Sequence, residues 1–296
     1  MRKLTPFPEI PVPAAASTAA VLVSYHPDET FDRRLASLNR QFAAVFWVDN
    51  TPGPIAEQQT RSDGAVYTLP QGENIGLDSA LNRGCDAALS AGFDWVVTFD
   101  QDSDVAADFL EQQIAFWHMS PARTFILGCN YSDGGLGDRS RFAQGSYVVE
   151  CATVITSGCL MCLSQWSKLG KFREGYFIDG VDHEICLRAR SRHLVVARHG
   201  QVLMQHQIGE RSAAYRFLPY LHSPVRKYYG MRNGVRNIIQ YASNEPLWSL
   251  QKCISLAWEL IVVLLLESGK QAKLKAMLRG VADGVRGRMG VAPDDL

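Results

Sequence analysis

The chain has 296 residues, 47% hydrophobic, 20% charged and 10% aromatic, and thirty basic residues balance thirty acidic ones. That apolar content excludes disorder over most of the length, and the length allows one large domain or one domain with an appendage. With no net charge, no whole-molecule field favours nucleic acid, so any affinity for phosphate or membrane has to come from local clusters.

Residues 1–18 carry basic residues and several prolines in place of the apolar run of a secretory signal, which predicts a mobile tail. Residues 20–25, AVLVSY, read as a buried strand feeding a loop at Pro27. Phe31, Leu35, Leu38 and Phe42 follow at helical spacing. Residues 44–48 form a second strand, closed by Asp49-Asn50 and the breakers Thr51 to Pro54. A short strand at 65–69, a helix at 77–91 ended by Gly92, a strand at 94–99 ended by Asp100, and a helix at 106–118 come next. Strand character resumes at 124–129. Residues 130–145 are a polar, glycine-rich loop and a candidate lid. A strand at 146–155, a helix at 182–192 and a strand at 194–198 complete the region.

Strands alternating with helices predict an α/β fold, a mainly parallel sheet covered on both faces. Ligands of such sheets collect at the carboxyl ends of the strands. The polar clusters Ser24-Tyr25-His26, Asp49-Asn50 and Asp100-Gln101-Asp102 all fall there. One such cluster alone reads as a helix cap or turn; three converging on one edge read as a site. No GxxxxGK[ST] and no GxGxxG is present, so two common nucleotide-binding devices are absent.

Seven cysteines, an odd number in a long chain, read as reduced thiols of a cytosolic protein. Cys159 and Cys162 form one CxxC with no second pair, which favours two buried residues on a core strand over a metal site.

In WVVTFDQDSD, Asp100 and Asp102 stand two apart at a strand end, within reach of a hydrated Mg2+ or Mn2+. The bland alternative is a solvated acidic turn. In FIDGVDHEICLR, Asp179, Asp182 and Glu184 cluster before a helix; one or two acids there suit the helix dipole, but one of three could also take a proton from an attacking hydroxyl. His206 follows a strand and is a candidate metal ligand.

With VLVSYHPD, FWVDNT, ENIGLDSALNRGCDAA, WVVTFDQDSD, ITSGCLM, GKFREGYFIDGVDHEICLRAR, HQIGE and SPVRKYYGMRNGVRN in order from about 20 to 237, the chain resembles the bacterial family 2 glycosyltransferases, and among them the rhamnosyltransferases. The resemblance implies a GT-A fold with a Rossmann-like nucleotide-diphospho-sugar domain and a donor such as dTDP-L-rhamnose. It implies that Tyr25 and Asp49 hold the base, that Asn74, Gly76 and Asn82 lie near the ribose and diphosphate, and that Asp100 contacts ribose or metal. Asp102 and His206 would hold the Mg2+ or Mn2+, and Asp182 would be the general base. Ser157, Gly158, Asp179, Glu184, Arg226, Tyr229, Arg232 and Asn233 would lie near donor or acceptor. Gln101 replaces the central acid of the wider family's D-D-D. Leu77-Asp78 replaces small apolar residues, which touches local helix packing.

These readings divide the chain into the tail 1–18, a catalytic domain 19–210 and a C-terminal segment 211–296. Between 211 and 243 six basic and no acidic residues interleave with aromatics. RNA binding would look similar but no RNA-binding signature is present; contact with a donor diphosphate and an anionic lipid-linked saccharide acceptor fits better. Residues 247–266 are apolar, interrupted by Lys252 and Glu259, and predict an interfacial or packing helix rather than a span. Six basic residues against Asp283 in 270–288 suit an anionic membrane surface, placing the protein on the cytoplasmic face; a solvated packing helix or a homo-oligomer interface is the alternative. Transfer of another sugar such as galactofuranose from a UDP-sugar, or a non-catalytic sugar-nucleotide-binding subunit, are the competing functions.

Overall fold

The computed structural model describes residues 10–55, 60–61, 65–133, 139–206 and 222–296. In chain order its elements are β1 (Thr18–Ser24), α1 (Phe31–Asn39), β2 (Val45–Asp49), β3 (Thr60–Arg61), β4 (Val66–Pro70), α2 (Leu77–Ser90), β5 (Trp95–Asp100), β6 (Ser103–Val105) and α3 (Phe109–His118). Then come β7 (Thr124–Asp133), β8 (Arg139–Ser140), β9 (Val148–Glu150), β10 (Cys159–Cys162), α4 (Leu163–Leu169), α5 (Val181–Ser191), β11 (Val195–His206), α6 (Pro224–Tyr241), α7 (Pro246–Leu265) and α8 (Lys270–Arg286).

The sheet order is β3-β4-β2-β1-β5-β10-β7-β11-β6. The β4-β2-β1-β5 half is parallel throughout, as the strand-helix alternation predicts. β10 runs antiparallel between β5 and β7, so the whole sheet is mixed. All seven residues of β1 are buried, which is why its sequence is an unbroken apolar run: both faces are covered. Ala19, Val21 and Val23 join Phe46, Leu81, Trp166 and Ile185 on one face, and Ala20 and Leu22 join Phe31, Leu35, Phe99 and Phe109 on the other. Cys159 and Cys162 fall on opposite faces by the same period-two rule, in different core clusters, so they cannot share a metal ion.

The structure differs from the sequence expectations in places where pairing, rather than local pattern, defines the strand. β7 continues to Asp133 and β11 to His206 because the two run parallel along most of their length. The strand expected at 146–155 shrinks to Val148–Glu150, which pairs only with three residues of β11. β6 has three residues and exists because it lies antiparallel to the end of β11. Residues 134–138 of the expected lid lie outside the described residues.

α6, α7 and α8 pack around Met231, Leu256, Val263 and Met277. Buried Lys227 of α6 joins Glu259 of α7 and Glu267 beyond it at 3.1 and 2.8 Å, fixing α7 to the bundle. α6 and α8 approach closely through two glycines: a Cβ on Gly280 would stand 2.5 Å from the Tyr228 carbonyl oxygen, and one on Gly284 2.5 Å from that of Arg232. The obstacle is backbone, which cannot rotate aside. Gly280→Val should therefore lower the unfolding free energy by about 1–3 kcal/mol through overpacking, read from urea denaturation.

Candidate active site

A cleft of about 660 Å³ opens at the carboxyl ends of β1, β2 and β5 and is closed on its other side by the start of α5 and by α6 and α7. The first wall carries Ser24, Tyr25, Asn50, Asn74, Asp100, Gln101 and Asp102; the second carries Phe177 to His183, His222, Arg226, Lys252 and Glu259.

On the strand wall, side-chain amides shape the loops. Asn50 donates to the Asn74 side-chain oxygen at 3.1 Å and to the Gly76 carbonyl at 3.2 Å, and accepts from the Ile75 amide at 3.2 Å. Asn50 is thus the hub that folds the ENIG loop over the end of β2. Gln101 accepts from the Tyr25 amide at 2.7 Å, so the neutral residue between the two aspartates ties the β5 turn to the β1 turn. Behind this turn, Ser157 donates or accepts at 2.7 Å with Ser103 and accepts from the Asp100 amide at 3.3 Å. Asp100 and Asp102 both face the cleft.

The opposite wall is a strained turn. Phe177 and Asp179 have φ of 67° and 57°, left-handed values costly for residues with a Cβ, and Gly180 follows at 81°. Two neighbours on α6 hold it. The Asn233 amide donates to the carbonyls of Tyr176, Ile178 and Asp179 at 2.9, 2.8 and 2.7 Å. Arg232 donates to those of Gly175 and Tyr176 at 2.8 and 3.0 Å. From the other side, buried Asp78 accepts from the Phe177 amide at 2.9 Å. Asp78 therefore couples the ENIG helix to this turn, a larger part than the local packing expected of it.

The three acids of this segment have different fates. Asp179 is held by a bidentate Arg226 pair, both contacts at 3.2 Å. Glu184 is fully buried, with Arg188 at 2.9 Å, Arg173 at 3.2 Å and the Tyr241 hydroxyl donating at 2.8 Å. Asp182, in the first turn of α5, faces the cleft and has no basic partner within salt-bridge distance among the described residues. Burial holds the imidazole of neighbouring His183 below its ordinary value, against the opposing pull of Asp182. Burial does the same at His222, with Arg226 adding to it. Both rings enter the cleft neutral at pH 7.

Several expected contact residues stand behind the cleft instead. Glu184, Tyr229, Arg232 and Asn233 are buried supports: Tyr229 stacks on Phe177 at 5.1 Å, and the others are spent on the bonds just described. Asn82 is buried, exchanging hydrogen bonds of 2.9 Å with the backbone of Phe172. Gly76 caps α2 at φ 87°, where a Cβ would strike Phe177. Gly158 donates to the Thr98 carbonyl at 2.7 Å beneath the sheet edge. Asp49 accepts from Ser24 at 3.2 Å and from the Thr51 amide at 3.1 Å, shaping the turn beside Tyr25. His206 ends β11 opposite Ser103 in the ladder, next in the chain to Asp102, and the expectation for its side chain lies outside the described residues. Arg211, Arg216 and the aromatics of 215–220 also lie outside them.

Because Glu184 is buried and triply partnered, Glu184→Ala takes the anionic partner from two guanidinium groups and the acceptor from the Tyr241 hydroxyl. Removing one partner of a buried pair typically costs about 3–5 kcal/mol. Urea unfolding should show that loss, while nucleotide affinity at low temperature stays within about twofold; a large affinity loss in the folded variant would return Glu184 to the site.

A parallel β-sheet half with a D-x-D turn at a strand end and an acidic helix start facing it across a cleft is the GT-A arrangement. The model for "Glycosyl transferase family 2" matches residues 20–183, and the chain belongs to that family. The enzyme is a glycosyltransferase. It is 25% identical over 288 residues to the "dTDP-rhamnosyl transferase RfbF" of Shigella flexneri, covering 92% of this chain and 96% of that protein. Among solved structures it is similar to S. aureus TarS 1–349 in complex with UDP-GlcNAc, with TM-score 0.57, 16% identity, and 92% and 84% of the two chains covered. It is also similar to GalNAc-T7 with UDP, GalNAc and Mn2+, with TM-score 0.56, 11% identity, and 94% and 58% covered.

Proposed function

We propose that the enzyme moves L-rhamnose from dTDP-L-rhamnose, with inversion, to a hydroxyl of a lipid-linked saccharide in cell-surface polysaccharide synthesis at the cytoplasmic face of the membrane. Near full-length similarity to a dTDP-rhamnosyl transferase supports the donor. The observation that carries the mechanism is the sorting of the three acids: Arg226 occupies Asp179, the core encloses Glu184, and Asp182 alone of the three faces the cleft with no ion pair among the described residues.

In the reaction the acceptor oxygen attacks the anomeric carbon, its proton passes to the Asp182 carboxylate, and the bond from that carbon to the diphosphate oxygen breaks to release dTDP. One base suffices because diphosphate is a good leaving group. Tyr25 lies at the open end of the strand wall, where it would lie against the base, with the loops shaped by Asn50, Asn74 and Gln101 framing the nucleoside. Neutral His183 and the Arg226–Asp179 pair line the acceptor side, and keeping that side closed by α6 and α7 limits hydrolysis of the donor.

Asp100 and Asp102 offer hard carboxylate oxygens on one turn, which fits Mg2+ or Mn2+. Mg2+ and Mn2+ commonly take one or two carboxylates together with substrate phosphates. Asp102, Asp100 and His206 would hold the ion, and it would supply charge neutralisation for the departing diphosphate.

Calorimetry with dTDP and UDP in Mn2+ tests the nucleotide. Tighter binding of dTDP supports the reading; a preference for UDP would favour another sugar, such as galactofuranose.

A further inference from the structure

α7 has three faces with different partners. Leu256, Leu260 and Val263 pack into the bundle with α6 and α8. Lys252 and Glu259 line the cleft. Leu247, Leu250, Ile254, Trp258, Ile261 and Leu265 are exposed by 68, 58, 61, 54, 42 and 68%. At 3.6 residues per turn these six form one stripe, roughly 160° round the helix from Leu256 and about 30 Å long. No charged residue interrupts the exposed surface between Leu247 and Leu266, since both charges of the helix turn toward the cleft. A soluble helix ordinarily puts its charges on such a face.

We infer that this stripe seats the enzyme on an anionic lipid leaflet, with α7 lying along the surface. This rests on the membrane reading proposed above and deepens it by naming the surface that meets the lipid. α7 is long and apolar enough to cross a bilayer, but its other two faces are committed to the bundle and the cleft. It lies on the membrane rather than through it.

Charge decides between lipid and a second copy of the chain. Next to α7, α8 exposes Leu278 and Val285 in a second apolar strip, bordered by exposed Lys275 and Arg286. Of the six basic residues in 270–288, Lys273 and Arg279 are paired with Glu267 and Asp295, which leaves Lys270, Lys275, Arg286 and Arg288 on the exposed surface. A two-fold contact through this face would bring the cationic flanks of two copies together. An anionic leaflet instead attracts them while burying the stripe.

The test is flotation of the full-length protein with phosphatidylcholine vesicles containing 30% phosphatidylglycerol, alongside light scattering for oligomeric state. The parent should float, and Ile254→Asp/Trp258→Asp should reduce the floating fraction at least tenfold. Both should be monomeric, with equal thermal midpoints and equal dTDP affinity. High salt should weaken flotation of the parent by shrinking the Debye length from about 10 Å at 0.1 M to about 3 Å at 1 M. A parent that stays at the bottom, a variant that floats as well as the parent, or a parent dimer split by the substitutions would each overturn the inference. dTDP affinity reports on the donor site alone, so failure of the rhamnosyl-donor reading would show there and leave flotation unchanged.

Discussion

Asp182→Asn is expected to bind dTDP with the parent's affinity and to lose glycosyl transfer by about 10²–10⁴-fold, the range that removal of a general base typically costs. Asparagine keeps the size of the side chain and its hydrogen bond to the neighbouring His183 amide, made at 2.8 Å in the parent, so the start of α5 should not move. What it loses is the ability to accept a proton. The other acids of the segment cannot substitute. Asp179 is neutralised by the Arg226 fork, and freeing it would break both of those bonds. Glu184 is sealed in the core by two guanidinium groups. Single-turnover rates with saturating donor, beside dTDP calorimetry, separate chemistry from binding. Parent-like turnover would move the base elsewhere in the cleft.

Asp102→Ala is expected to reduce dTDP affinity in Mn2+ to the value measured in EDTA, at least tenfold below the parent. Residues that merely orient a metal ligand typically contribute roughly 10–100-fold, and a carboxylate that binds the ion should contribute no less. The loss should be confined to the metal-dependent part, because Tyr25 and the Asn50 network remain. The turn itself should survive, as Gln101 and Ser157 hold it by bonds to the Tyr25 and Asp100 amides that do not involve Asp102. Equal parent and variant affinities in both Mn2+ and EDTA would remove Asp102 from the metal assignment.

Much of the strand wall was legible in the sequence. An apolar strand ending in Asp or Asn states both its burial and the position of its polar end, so Tyr25, Asp100 and Asp102 were placed at the sheet edge from pattern, while Asn74 came only from the family resemblance. The CxxC was legible too: with no second pair it reads as two buried residues on a core strand, and both are buried in β10. The opposite wall was not. That Asn233 and Arg232 grip the FIDG turn, that Asp78 reaches Phe177, and that Glu184 points into the core are facts of long-range packing, which one-dimensional spacing does not carry. Asp179, Asp182 and Glu184 look alike in sequence, and only their partners distinguish them. A signal for Lys252 and Glu259 was present: two charges in an otherwise apolar helix must face something polar, and that proves to be the cleft.

Rhamnosyl transfer is tested most directly by incubating the parent and Asp182→Asn with a panel of dTDP- and UDP-sugars and membrane-extracted lipid-linked saccharides in Mn2+. Product mass and released nucleotide are then read together. The expected result is one added deoxyhexose per dTDP released, from dTDP-L-rhamnose, in the parent and not in the variant. Transfer of a hexose from a UDP-sugar, or equal transfer by both proteins, would contradict it.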